Sequence, residues 1–296
     1  MPKYIKIGFA ISVVLLFFYC NKKIENTETM VSGNTEILVD ETLTPIIEGE
    51  IAVFESDYTA KIKIKSKSET EVLQSLLKDS IQIAILSKKL SKEDSLYLTN
   101  RKIFPKQTMF ATDAIALISN KSNNDTIIAL QDVIDFMKGK TISNIKGLVF
   151  DNPNSSTVRL LNGIANLKVT PEKNIFSFKT NEEVIKYVSE NNGMIGVVGV
   201  SWLMEPTEKI EKYKENIQVL SVKPINGSKY FYPSQNNLAE KTYPLARDLY
   251  IVNCQTFAGL GNGFEVFLKG DRGQRIILKS GLLPIKIPGR NISIQK

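Results

Sequence analysis

The chain has 296 residues, of which 43% are hydrophobic and 23% are charged, values that exclude an intrinsically disordered protein. The length is large for one domain and predicts two lobes. The net charge of +7 comes from scattered lysines without interleaved aromatic residues, so we predict no nucleic-acid partner and interpret the excess as solvated surface.

The N-terminus has the pattern of an export signal. Two lysines precede an apolar run at 7–19, which is shorter than the roughly 20 residues that a membrane-spanning helix needs. Cys20 follows, and the whole resembles a bacterial lipoprotein signal in which Cys20 carries the lipid anchor to the membrane. Phe18 and Tyr19 stand where that signal usually has small residues, so an uncleaved signal anchor and a plain secretory peptide remain alternatives.

The chain is predicted to divide into four parts. These are a signal peptide at 1–19, a lipid-anchored tether at 20–32, lobe 1 at 33–114 with 243–296, and lobe 2 at 115–242.

Only Cys254 remains in the mature fold beside Cys20, so no intramolecular disulfide is expected. Its apolar surroundings indicate a small core residue and not a nucleophile.

Strands and helices alternate along the first third of the chain. Strands are predicted at 35–39, 60–65 and 81–86, and helices at 43–54 and after Ser68 and Ser91. This alternation predicts βαβ units and a parallel sheet. In such sheets ligands bind at the carboxyl ends of strands, which here carry Asp40-Glu41-Thr42 and Ser87-Lys88.

The remainder continues the α/β pattern. Long strands at 112–118 and 243–252 are predicted to cross between the lobes. Shorter strands are predicted at 147–150 and 194–199, helices at 130–137, 181–190, 263–268 and 272–278, and a loop at 224–238.

The stretch from Asp151 to Arg159 is the central candidate site. It joins an apolar strand to a helix through a turn rich in Asn and Pro, and Ser155, Ser156 and Thr157 open the helix. Unpaired N–H groups and the helix dipole at such an end attract an anion without any cation. The alternative is that Asn154 or Ser155 only caps the helix.

The order of these features resembles the phosphate-type periplasmic binding proteins, the substrate-binding subunits of phosphate ABC transporters. Seven pieces stand in the family's order: 40–45 (DETLTP), 83–90 (IAILSKKL), 113–118 (DAIALI), 154–157 (NSST), 193–199 (GMIGVVG), 243–247 (YPLAR) and 273–284 (GQ through GLLP). The resemblance covers nearly the whole mature chain.

The resemblance implies a type II periplasmic-binding-protein fold: two mostly parallel α/β sheets flanked by helices, joined by a two-strand hinge. It implies phosphate or a related oxyanion as ligand, an ABC permease of the inner membrane as partner, a monomer in the periplasm or cell envelope, and neither cofactor nor metal. Backbone N–H groups and hydroxyls hold the ligand in this family, and the matching residues here are Glu41, Thr42, Ser87, Asp151, Ser155, Ser156 and Thr157.

The chain departs from the family at charged positions. Glu41 stands in a loop that is usually Gly-Ser-Thr, Asp151 stands where some members have arginine, and Ser156 replaces a usual glycine. Two carboxylates facing the cleft weaken the binding of a doubly charged anion, unless Lys88, Arg159 or Arg247 compensates or a carboxylate accepts the proton of monobasic phosphate. Both residues have an alternative to a ligand role: Asp151 caps its own turn through an Asx bond, and Ser87 is a strand-end hydroxyl that caps the next turn.

The sequence argues against an enzyme. It contains no histidine, which removes Ser-His-Asp and Cys-His catalysis. The pair Ser143 and Lys146 has no companion motif, and the glycine-rich stretch 259–263 lacks the lysine of a phosphate-binding loop. The alternative function is a cell-envelope lipoprotein that uses the same fold as a structural or interaction module.

Overall fold

The structure is a computed structural model that describes residues 28–78, 80–204 and 208–289. The predicted signal peptide, the lipid-anchor residue Cys20 and tether residues 20–27 lie outside these ranges. Residues 28–32 of the predicted tether belong to the folded domain, since Ser32 begins a strand. Glu28 Oε1 accepts hydrogen bonds from the backbone N–H of Leu260 at 2.6 Å and from Gln255 Nε2 at 2.8 Å.

Twelve strands are found among the described residues. They are β1 (Ser32–Asp40), β2 (Thr59–Lys67), β3 (Ile83–Leu86), β4 (Lys106–Asn120), β5 (Ile127–Ala129), β6 (Gly147–Phe150), β7 (Ile175–Ser177), β8 (Met194–Gly199), β9 (Ile217–Val219), β10 (Ser221–Lys223), β11 (Ala246–Asn253) and β12 (Leu283–Pro284).

Eleven α-helices accompany these strands in the described ranges. They are α1 (Thr44–Asp57), α2 (Glu69–Leu77), α3 (Lys92–Asn100), α4 (Leu130–Met137), α5 (Ser156–Ala165), α6 (Asn181–Glu190), α7 (Ser201–Met204), α8 (Glu208–Lys214), α9 (Gln235–Ala239), α10 (Leu260–Lys269) and α11 (Asp271–Lys279). A short 3₁₀ turn, Glu41–Leu43, links β1 to α1.

The sheet has two halves that share β4. The strand order is β2-β1-β3-β11-β4-β8-β6-β7. We call the half with β1, β2, β3 and β11 lobe 1, and the half with β6, β7 and β8 lobe 2. Within each lobe three neighbouring strands run parallel, which confirms the predicted α/β fold. Every residue of β3 and β6 is buried, as expected for parallel strands covered by helices on both faces.

The hinge is formed by β4 and by the segment before β11. β4 pairs with β11 up to Ala114 and with β8 from Ile115 onward. On the returning segment, Leu245 O accepts the N–H of Ile115 at 2.9 Å, and Tyr243 Oη donates to Ile115 O at 2.7 Å. The predicted lobe boundaries at 114/115 and 242/243 stay a prediction.

Two sequence predictions need correction. The strand predicted at 243–252 begins at Ala246, because Pro244 has no N–H for a strand ladder. The loop predicted at 224–238 ends in α9, which Ser234 caps by accepting the N–H of Asn237 at 3.3 Å.

Among the described residues, no helix combines the length and the apolar character needed to cross a bilayer.

Candidate functional site

The carboxyl ends of β1 and β3 in lobe 1 face those of β6 and β8 in lobe 2. Thr42, in the 3₁₀ turn after β1, and Ser156, the first residue of α5, meet across this cleft with their hydroxyl oxygens 3.1 Å apart. Both residues are fully buried. The strand ends that the sequence singled out in each lobe are therefore in direct contact.

Arg247 lies beneath this pair of hydroxyls. Its Nη1 donates to Ser156 Oγ at 2.7 Å, and its Nη2 donates to Thr42 Oγ1 at 3.1 Å. Its Nε and Nη2 also bond Asp113 Oδ2 at 2.9 and 2.7 Å. Burial opposes the charge on Arg247, but the nearby carboxyl groups of Asp113, Asp40 and Glu69 together outweigh burial and raise the pKa of the guanidinium. Because Arg247 donates to both hydroxyls and the two hydroxyls are hydrogen-bonded to each other, one hydroxyl hydrogen joins Thr42 to Ser156 and the other remains to be donated.

Asp151 holds the hydroxyls at the start of α5. Its Oδ1 accepts hydrogen bonds from Ser155 Oγ and Thr157 Oγ1, both at 2.7 Å, and Ser155 also caps α5. Burial raises the pKa of Asp151, although these two hydrogen bonds oppose that rise. The carboxyl group thus holds the hydroxyls of the loop and not its own turn, and its Oδ2 lies 3.4 Å from Asn181 Nδ2 at the cleft.

Glu41 reaches across the cleft to the beginning of α6. Its Oε1 accepts the backbone N–H of Asn181 at 3.1 Å, and its Oε2 accepts Asn181 Nδ2 at 2.6 Å. Asn181 Oδ1 in turn accepts the N–H of Gly199 at 3.2 Å. Gly199 must lack a side chain here, because a Cβ at this position would come within 2.8 Å of Thr42 O.

Glu69 organises a second contact between the lobes. Arg159 of α5 donates from Nε and Nη2 to Glu69 of α2, at 2.5 and 3.0 Å. Ser87 Oγ donates to Glu69 Oε2 at 2.8 Å, and Lys88 lies 3.2 Å from Oε1. Burial opposes ionisation of Glu69, but Arg159 and Lys88 outweigh it and lower the pKa of the carboxyl group.

Asp40 is fully buried at the centre of the cleft. Its Oδ1 accepts the N–H of Thr42 at 3.2 Å, and its Oδ2 has no hydrogen-bond partner within the described ranges. Burial raises the pKa of Asp40 to about 7, partly offset by Arg247, and burial with the nearby Asp151 raises the pKa of Glu41 to about 8. Across residues 28–78, 80–204 and 208–289, no group of three His, Cys, Asp or Glu side chains is placed to hold a metal ion.

The predicted site residues therefore share one region at the lobe interface. Thr42 and Ser156 touch, Asp151 joins Ser155 to Thr157, Glu41 reaches α6, and Ser87 lies beside Arg159. From the sequence, Arg247, Arg159 and Lys88 were expected only as compensating cations. Asn181, Glu69 and the pairing of Asp113 with Arg247 were not predicted. Thr180, a capping residue before a periodic segment, was the one local signal that marked the start of α6 as a second helix end.

A separate cavity lies at the opposite edge of lobe 1. Its volume is about 920 Å³, and it is lined at the amino ends of β1 and β2 by residues that include Glu36, Lys61 and Phe257. Ligands of open α/β sheets bind at the carboxyl ends of strands, so the cleft at Thr42 and Ser156 is the candidate site.

Comparison with protein families decides the classification. Residues 25–271 match the family model described as the PBP superfamily domain. The chain belongs to the PBP superfamily. A search of curated protein sequences finds no match.

Several solved structures share the fold of this PBP chain. One, from Clostridium perfringens, is described as a phosphate ABC transporter substrate-binding protein with bound phosphate; it has a TM-score of 0.70 and 20% identity, with 86% of this chain and 100% of that chain covered. An ABC-type phosphate transport receptor from Vibrio cholerae has a TM-score of 0.62 and 16% identity, with 84% and 99% covered. A molybdenum ABC transporter substrate-binding domain from Clostridium difficile has a TM-score of 0.50 and 15% identity, with 86% and 99% covered. At these identities the likeness establishes the fold.

Proposed function

We propose that this protein is an extracytoplasmic solute-binding protein that captures phosphate, or a related oxyanion, between its lobes and delivers it to an ABC permease. The observation that carries the proposal is the meeting of Thr42 and Ser156 over the guanidinium of Arg247. Two hydroxyl groups from opposite lobes, backed by one buried cation, form a donor set for a small anion that replaces the hydrogen bond between them. Burial strengthens each of these hydrogen bonds.

The ligand residues in this proposal come from both lobes. Thr42 and Ser156 supply hydroxyl groups at the end of β1 and at the N-terminus of α5, where the helix dipole adds to the attraction. Ser155 and Thr157 donate their hydroxyl hydrogens to Asp151, so they must release this carboxyl group to donate to the anion. Ser87 and Arg159 close the side of the cleft. Glu41 and Asp151 border it with carboxyl groups, which in their ionised form accept the proton of a monobasic oxyanion and repel a fully ionised one.

Isothermal calorimetry with phosphate, sulfate and molybdate tests the proposal. We expect one saturable site for phosphate, weaker heat with sulfate, and a change in the fluorescence of Trp202, the single tryptophan, when the lobes close. Trp202 is suited to this because its Cδ1 lies 3.6 Å from the position of a Cβ on Gly199, beside Thr42 O. Absence of heat with all three anions, at pH 6 and at pH 8, contradicts the proposal.

The second candidate is a cell-envelope lipoprotein that uses the PBP fold as an interaction module. The observation that favours it is the concentration of Asp40, Glu41 and Asp151 at the cleft, where three carboxyl groups repel an anion when ionised. A failed titration together with a stable envelope partner, recovered by cross-linking, supports this candidate.

The domain limits and the anchor complete the proposal. Lobe 1 comprises 33–114 and 243–296, lobe 2 comprises 115–242, and Cys20 carries lipid after removal of 1–19, which places the monomeric protein at the membrane surface of the cell envelope. Mass spectrometry of the membrane fraction tests the anchor: we expect a lipid-modified Cys20 at the N-terminus in the wild type, and Cys20→Ala in the soluble fraction. An unmodified N-terminus contradicts the anchor alone.

A further inference from the structure

Glu41 of lobe 1 occupies the N-terminus of α6 in lobe 2. Its two carboxyl oxygens accept the backbone N–H and the Nδ2 of Asn181, at 3.1 and 2.6 Å. α6 has ten residues, so its first turn carries partial positive charge and unpaired N–H groups. A carboxyl group of the chain itself therefore takes the place that an anion takes at such a helix end, and it joins the two lobes.

Two further carboxyl groups lie beside this contact, one from each lobe. Asp40 directly precedes Glu41, and Asp151 Oδ2 lies 3.4 Å from the same Asn181 Nδ2. We call Asp40, Glu41 and Asp151 the carboxyl cluster. Among the described residues, none of the three forms a salt bridge, because the cations around them are engaged elsewhere: Arg247 with Asp113, and Arg159 and Lys88 with Glu69.

Burial in the closed cleft changes the proton affinity of the cluster. It raises the pKa of Asp40 to about 7 and that of Glu41 to about 8, and Asp151 shifts in the same direction. Asp151 adds to the shift of Glu41 by repulsion, while the two hydrogen bonds from Asn181 oppose it without reversing it. Glu69 and Asp151 add to the shift of Asp40, while Arg247 opposes it. Separated lobes expose these groups to water, where carboxyl pKa values are about 4.

We infer that closure of the two lobes is coupled to proton uptake by the carboxyl cluster, so that mildly acidic pH closes this protein and rising pH opens it. The closed form binds more protons than the open form between pH 4 and pH 8, so the closure constant falls as the pH rises through this range. For Glu41 alone the fall is roughly 50-fold from pH 6 to pH 8. This closure involves the hinge and requires no ligand, so its test is independent of whether the protein binds phosphate.

The test follows the shape of the protein without added anion. Full-length mature protein, dialysed into phosphate-free buffer, is measured by small-angle X-ray scattering from pH 5 to pH 9, with Trp202 fluorescence as a second readout. Glu41→Gln removes the titrating group, and Glu93→Gln, an exposed residue in the first turn of α3, is the matched control. Far-UV circular dichroism at each pH separates opening of the lobes from unfolding.

We expect the radius of gyration of the wild type and of Glu93→Gln to rise between pH 6 and pH 8. In Glu41→Gln the number of protons taken up on closure should fall by about one, so the transition should be less steep. Only Asp40 and Asp151 remain to titrate in this variant. A wild-type radius that stays constant from pH 5 to pH 9 overturns the inference, as does a Glu41→Gln transition identical to that of the wild type. If Glu41→Gln does not fold, the wild-type series decides alone.

Discussion

The hydroxyl oxygens of Thr42 and Ser156 lie 3.1 Å apart, although 114 positions separate these residues in the chain. Thr42 follows the first strand of lobe 1, and Ser156 begins a helix of lobe 2. Neither lobe alone brings both hydroxyls to Arg247. The proposed donor set therefore forms only when the lobes are closed, so an anion that binds there would draw them together.

Removal of the Ser156 hydroxyl tests its role as a ligand. We expect Ser156→Ala to weaken phosphate binding by about 10-fold to 100-fold, since a hydrogen bond to a charged group contributes roughly 1.5–3 kcal/mol. Ser143→Ala, at an exposed serine of lobe 2, is the control and should bind like the wild type. Equal dissociation constants for both variants in calorimetry exclude Ser156 from the ligand site.

Neutralising Asp151 should change which anions the cleft accepts. Asp151→Asn keeps an oxygen to accept the hydroxyls of Ser155 and Thr157 but removes a negative charge from the cleft. We expect sulfate, which carries no proton, to gain more affinity than phosphate. Asp132→Asn, at an exposed position of α4, is the control for net charge. An unchanged ratio of sulfate to phosphate affinity at pH 7.5 places Asp151 outside the ligand's reach.

The ion pair of Arg247 with Asp113 should be essential to stability. Both side chains are buried, with 2% and 0% exposure, so Arg247→Ala leaves a buried carboxyl group without its partner. We expect a loss of about 3–5 kcal/mol in the free energy of unfolding. Arg272→Ala, which breaks the exposed pair with Asp57, should cost no more than about 1 kcal/mol. Urea unfolding of the two variants measures the difference, and similar losses contradict the assignment.

Two helical glycines should respond oppositely to substitution by alanine. A Cβ on Gly263 of α10 collides with the carbonyl of Met30, whereas a Cβ on Gly163 of α5 meets open space. We expect Gly263→Ala to destabilise the fold by about 1–3 kcal/mol through overpacking. Gly163→Ala should stabilise it by about 0.4–1 kcal/mol by restricting the unfolded chain. Thermal unfolding distinguishes them, and a neutral Gly263→Ala means that residues 28–32 do not pack on α10.

Local signals in the sequence predicted most of the fold. The strand at 194–199 and the helix at 181–190 have the predicted bounds, because an apolar run defines the first and a capped periodic segment defines the second. The helices predicted after Ser68 and Ser91 are also present, and each begins with a capping box. Strands of three residues, such as β5 and β7, were missed because they are too short to establish a period.

The partners within the site were not predictable in the same way. Glu69 and Arg159 are 90 positions apart, and Glu41 and Asn181 are 140 apart. These contacts depend on how two lobes meet, which no local spacing encodes. The sequence predicted which strand ends carry polar groups. The pairing of Arg247 with Asp113 depends on the register of β11 against β4, and only the closed arrangement assigns Glu41 to α6.

A crystal structure of the protein grown with phosphate tests the central claim most directly. The account predicts closed lobes with one phosphate between them, its oxygens within about 3.2 Å of Thr42 Oγ1 and Ser156 Oγ. A phosphate bound elsewhere on the protein contradicts this claim. So does a structure without phosphate between the lobes in which Thr42 and Ser156 lie on separate surfaces.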